Sequence, residues 1–171
     1  MTAASRVTAT ARVASVVFGA ARIVLGALWL HEGLFKFGAH FGRADILLVA
    51  DGASAGGRVP EYFSVFAGAV LRNWPGLFGV LTPVMETALG VALILGVFTM
   101  PAALASVSTL MLYWSSDQLI AQYPIMGVLS AVVLAWPVFA ARWSTTALVA
   151  WLSQRRGRRY VLFDGPLRQW L

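Results

Sequence analysis

The chain has 171 residues, 59% of them in the set AVILMFWYC and only 12% charged, where soluble proteins carry about 25% charged residues. So few charges cannot cover a water-soluble domain of this size, and the same apolar content excludes intrinsic disorder. The absence of cysteine excludes disulfides, thiolate metal sites and thiol–disulfide catalysis by this chain. The net charge of +6 comes from 12 Arg and one Lys against 7 acids, and fits a basic patch on anionic lipid better than nucleic-acid binding.

The patterning predicts an all-α fold: a four-span transmembrane helix bundle with short interfacial helices, forming one membrane domain. A span needs about 20 mostly apolar residues. The first is expected at about 13–37, and it carries Arg22, His31, Glu32 and Lys36. Its apolar run is too long for a cleaved signal peptide and contains Arg22, so it is expected to stay. Residues 38–59 read as a Gly/Ala/Ser-rich loop. Residues 60–73 read as a short helix in the outer interface, with Tyr62, Phe63, Phe66 and Val70 on one face. Outer loop and interfacial helix together fill 38–74.

The second span is expected at about 75–99 with Glu86 as its one charge, the third at 101–121 with Asp117 near its end, and the fourth, uncharged, at 124–141. Pro75, Pro101 and Pro124 sit where helices begin, where a missing N–H costs nothing. The basic tail, 142–171, opens with WSTTALVAWLSQRRGRR, read as a second interfacial helix or a continuation of the fourth span. Arg6 and Arg12 flank the first span, and Arg142 and the cluster from Arg155 to Arg159 follow the last. The positive-inside rule then predicts a multi-pass protein of the plasma (inner) membrane with both termini cytoplasmic and the Arg155–Arg159 cluster on anionic lipid.

Ionisable groups at membrane depth face a bundle interior, find partners and mark function. Arg22 and Glu86 both fall near the middle of their spans, so an antiparallel pair of helices is expected to join them as a buried ion pair. Arg22, Gly26, Trp29, Gly33 and Lys36 share one face of the first span, and Glu32 and Lys36 form an i,i+4 pair. The glycines on that face allow close helix approach. His31 falls on the opposite face and is not expected to be a ligand. The two histidines are not spaced as a metal pair, so no metal site is expected. At the end of the third span, Tyr113, Trp114, Ser116 and Asp117 form either an aromatic belt with helix-end polar groups or part of an outer-leaflet pocket. In the second case Glu32, Lys36 and Asp117 supply charge, and Trp29, Tyr113 and Trp114 supply walls, for a quinone or another amphiphile.

These residues carry a family resemblance. RIVLG from Arg22 to Gly26, EGLFKF from Glu32 to Phe37, and PVMETALGVALILGVFTMPAAL around Glu86 and Gly90 resemble the DoxX/DoxD family. RRYVLFDGPL, with Asp164 as its acid, is similar to that family's closing pattern. The resemblance runs from about Arg22 to Leu167. It implies a four-helix membrane bundle linked to redox chemistry, since members are described as quinone-reactive thiosulfate-oxidising subunits or as membrane partners of oxidative-stress enzymes. The long outer segment and the Arg-rich tail depart from the family pattern and look like docking surfaces.

The expected function is a DoxX-like membrane subunit that binds a quinone or similar lipophilic ligand in its outer half and associates with a redox partner protein. No covalent cofactor is expected and no catalytic residue is assigned, because the chain lacks a flavin motif and a mid-membrane haem-ligand pair. A non-catalytic scaffold is the alternative. A third reading is a small transporter whose pathway is lined by Arg22, Glu32, Lys36, Glu86 and Asp117.

Overall fold

The computed structural model describes residues 3–155, and these are helical with no strand among them. In chain order the helices are α1 (Ala3–Gly38), α2 (Arg43–Ala55), α3 (Glu61–Phe66) running into a π turn (Ala67–Leu71), α4 (Pro75–Leu95), α5 (Thr99–Ser115), α6 (Tyr123–Ala135), α7 (Pro137–Ala140) and α8 (Thr145–Arg155). Two segments among the described residues are long and apolar enough to cross a membrane: Ala9–Gly38 and Pro75–Leu95.

Helix ends follow local chemistry. Pro75 and Pro124 lie in the first turns of α4 and α6, as expected. α4 stops four residues short of the expected boundary because Gly96 takes a left-handed conformation (φ 68°) and caps it. α5 ends at Ser115 rather than 121, and Asp117 stands in the turn beyond it with φ 57°. The stretch expected as the fourth span is broken between α6 and α7, where Trp136 (φ −130°, ψ 55°) precedes Pro137. Proline pushes the residue before it out of the helical region.

The principal correction to the expected organisation lies between residues 38 and 59. Composition suggested a loop, but 43–55 form α2. Its entry is fixed by Asp45, whose carboxylate accepts the Gly42 N–H at 2.8 Å. The apolar face of α2, Ile46, Ala50 and Ala53, packs on Phe63, Ala67 and Leu71 of α3 and its π turn. The helix over 60–73 is present, but its buried stripe is Phe63, Ala67 and Leu71. Tyr62 faces out, 65% exposed.

α1 and α4 form the central pair, and glycine sets how close they come. A methyl group at Gly90 would stand 2.5 Å from the backbone nitrogen of Leu30. One at Gly33 would stand 2.7 Å from the backbone nitrogen of Thr87, and one at Gly26 would stand 2.8 Å from that of Ile94. The helices therefore touch backbone to backbone and run antiparallel. α5 and the α6–α7 pair complete an up-and-down arrangement. Leu25 and Trp29 of α1, Leu89 and Leu93 of α4, Leu110 of α5 and Met126 of α6 form its core. A polar thread crosses that core. The Trp29 indole N–H donates to Ser106 Oγ at 2.7 Å, and Ser106 and Ser130 share a 2.8 Å hydrogen bond.

Candidate functional site

The α1–α4 register decides which charges meet. With Leu30 against Gly90, Glu86 falls opposite Gly33–Lys36, and Arg22 falls opposite the end of α4. The expected Arg22–Glu86 ion pair is therefore not formed. Mid-span position alone pairs Arg22 with Glu86, but the glycine contacts set the offset between the helices.

Glu86, 1% exposed, is instead joined to Lys36, whose Nζ lies 2.6 Å from Glu86 Oε1. Lys36 also reaches Glu32 Oε2 at 3.4 Å, the expected i,i+4 pair. The Tyr113 hydroxyl donates to Glu86 Oε1, and the Gln122 amide donates to Glu32 Oε1. Tyr113 stacks on Tyr123, ring centroids 5.2 Å apart. Four helices thus converge on two carboxylates and one ammonium. The second oxygen of Glu86 is buried without a hydrogen-bond partner.

Arg22 lies at the other end of the bundle. Its guanidinium donates to the carbonyls of Ala140 (2.9 Å), Ile94 (3.1 Å) and Trp143 (2.9 Å), and to that of Leu93. These are carbonyls at the ends of α4 and α7 and just beyond. Helix C-termini expose such acceptors and carry partial negative charge, so the guanidinium is matched by dipoles rather than by an acid.

Beside the carboxylate cluster lies a cavity of about 120 Å³. Phe41, Ile46, Val49, Phe63, Phe66 and Leu71 wall it on the α2/α3 side, and Phe78, Thr82, Leu112 and Tyr113 wall it on the bundle side. Lys36, Ser116 and Gln118 supply its polar groups. The Lys36 Nζ stands 5.4 Å from the Tyr113 ring centroid and 5.9 Å from that of Phe41, within cation–π range of both.

Of the six residues expected at a ligand pocket, only Lys36 and Tyr113 lie on this wall. Glu32 stands one step behind Lys36. Trp29 is wholly buried in the core, its indole directed to Ser106. Trp114 is 63% exposed on the outer face of α5, because it lies about 100° around the helix from Tyr113. Asp117 turns away in its left-handed conformation and pairs with Arg58 at 3.2 Å, so it holds no part of Lys36. His31 is exposed beside Phe35, as expected of the opposite face.

Two residues of the cavity wall, Ile46 and Val49, are not legible in the sequence because they belong to α2, the helix hidden in a loop-like composition. The signal was the phase of Ile46, Val49, Ala50 and Ala53, which recurs at helical spacing. Among the described residues no group of three or more His, Cys, Asp or Glu stands ready to hold a metal. Arg155 stacks on Trp151, 3.9 Å from the ring centroid. Arg156, Arg158, Arg159 and the RRYVLFDGPL segment with Asp164 lie outside the described residues.

Compared with known protein families, curated proteins and solved structures, the chain finds no match.

Proposed function

We propose that this chain is a DoxX-like four-span membrane protein that binds a quinone or similar lipophilic ligand in the Lys36–Tyr113 cavity and works with a redox partner protein. The observation that carries the reading is an apolar, aromatic-walled cavity whose head is a lysine held by two carboxylates. At about 120 Å³ the cavity is somewhat smaller than the apolar space of about 150 Å³ that admits benzene, so it would take one edge of a quinone ring, with the remainder outside it. The ring's isoprenoid chain would lie in lipid. A carbonyl oxygen of the ring would accept from Lys36, Gln118 or Ser116.

Four spans are favoured by the apolar surface. Val17 of α1, Val80 of α4, Leu104 and Met111 of α5, Val128 of α6 and Val138 of α7 are all 44% or more exposed. A water-soluble bundle rarely shows such continuous apolar surface, and lipid covers it without cost. α5 and the α6–α7 pair, with 17 and 13 plus 4 residues, are short for spans. Trp136 and Trp143, 47% and 64% exposed, suit an interface at one end, and Trp114 suits it at the other. The Arg distribution supports cytoplasmic termini. Single cysteines at Ala4 and Gln169 of this cysteine-free chain are then expected to resist an impermeant maleimide in intact cells.

The scaffold reading is favoured by one observation: Lys36 and Tyr113 already engage Glu86 Oε1 without a ligand. Gentle purification followed by solvent extraction and mass spectrometry separates the two. A near-stoichiometric quinone, reduced at least tenfold in a cavity-filling Thr82→Phe variant, supports the ligand reading. Phospholipid alone, together with no binding of an added short-chain quinone, leaves the scaffold.

A further inference from the structure

The cluster behind the cavity carries a charge imbalance. Its titratable members are Glu32 and Lys36 on α1, Glu86 on α4, Tyr113 on α5 and Tyr123 on α6. Two carboxylates face one ammonium, which leaves an excess negative charge when both acids are ionised. Glu86 is 1% exposed, and its Oε2 is buried without a hydrogen-bond partner. A carboxylate oxygen buried in apolar surroundings without a hydrogen bond is unfavourable. One proton removes the imbalance with no movement of the backbone.

The position of the cluster gives that proton somewhere to go. Lys36 and Tyr113 form part of the cavity wall. Glu32 retains 9% side-chain exposure and is bonded to Gln122, next to the first residue of α6. The hydrogen-bonded series Tyr113–Glu86–Lys36–Glu32–Gln122 therefore runs from the cavity to the rim of the bundle.

We propose that Glu32 and Glu86 share one transferable proton, and that this cluster is a proton-exchange site serving the ligand in the cavity. The Lys36 ammonium gives a proton to the anionic oxygen of a ligand that arrives already reduced, a quinolate, and an N–H bond is replaced by an O–H bond. The neutral amine takes the shared proton from the carboxyl pair, and Glu32 recovers one from the rim. The net change is one proton moved from rim to ligand, with no electron transferred. The direction of transfer rests on the cavity being a ligand site, whereas the shared proton does not.

Infrared spectroscopy of the full chain in dodecyl maltoside, which has no ester carbonyls, tests this. At neutral pH the wild type is expected to show the C=O stretch of a protonated carboxylic acid, sensitive to deuterium exchange. Glu86→Gln and Glu32→Gln should each abolish it, because either leaves one carboxylate matched to Lys36. Adding decylubiquinone should shift the wild-type band. A wild type without the band overturns the proposal, as does a band that survives in both folded variants. If the band behaves as expected but decylubiquinone neither binds nor shifts it, the shared proton stands and the cavity reading falls. If decylubiquinone binds a protein that lacks the band, the cavity stands and the proton site falls.

Discussion

Two basic residues on one helix are neutralised in opposite ways. Arg22 and Lys36 are 14 residues apart on α1, or about 21 Å at 1.5 Å per residue. Arg22 is caged by four backbone carbonyls, which neither titrate nor move independently of their helices. Lys36 is held by two carboxylates and lies beside a cavity. The arginine fork suits several fixed acceptors at once, whereas an ammonium on a flexible stem suits a site whose charge changes. The first arrangement fastens helix ends together, and the second is chemically responsive.

The largest expected effect is at the fixed end. Arg22→Leu leaves four carbonyls at the ends of α4 and α7 without their donor. A buried acceptor left without its donor costs about 1–3 kcal/mol, and four lose theirs here, so thermal unfolding in detergent should show a large loss. Arg22→Lys should recover only part of it, because a lysine cannot span the carbonyl fork. Full recovery would remove the distinction drawn between the two ends.

The responsive end should show coupling where the fixed end shows none. Lys36→Met strands Glu86 and is expected to destabilise the bundle by about 3 kcal/mol. Adding Glu86→Gln should return at least about 1 kcal/mol of that loss. Arg22→Gln with Glu86→Gln should instead be additive within about 0.5 kcal/mol. A strong Arg22–Glu86 coupling in a double-mutant cycle would contradict the register described above.

Gly90→Ala tests the seam between the two ends. The added methyl would meet the Leu30 backbone, so overpacking of about 1–3 kcal/mol is expected. Gly68→Ala, with open space around it, is the comparison and should stay within about 0.5 kcal/mol. The smallest effect is at the exposed Arg58–Asp117 pair, where Arg58→Ala should change stability by less than about 1 kcal/mol. Trp114→Ala and His31→Ala should leave ligand retention unchanged, since neither side chain reaches the cavity.

The helical class and the chemistry of α1 were legible in the sequence. Glu32, Lys36 and Glu86 stand out as charges in apolar surroundings, and the 4-3 spacing of Gly26 and Gly33 identifies the seam. The Glu32–Lys36 pair within α1 was legible, but pairing between helices was not, because it depends on the axial offset of two helices, and each helix alone is silent about that offset. Gly90 holds the missing information, but only in combination with Leu30. α2 was concealed by Gly52, Ser54 and its alanines, whose small side chains read as loop when considered singly. Asp117 misled because its left-handed backbone carries it away from the helix face that its position in the sequence suggested.

The glycine seam also governs motion. Helices in backbone contact cannot slide or rotate against each other without collision, so α1 and α4 act as a stator. The start of α2 meets α4 in the same way, with Gly79 against Gly42 and Arg43, so any breathing that lets a molecule into the cavity falls to the rest of the α2/α3 layer. Toward α5 that layer is fastened by side-chain links such as Tyr62 to Ser115 at 2.5 Å and Arg58 to Asp117 at 3.2 Å. Hydrogen exchange should therefore divide the molecule by helix: slow amides along the α1–α4 seam, and faster ones through α2, α3 and the π turn that joins them to α4.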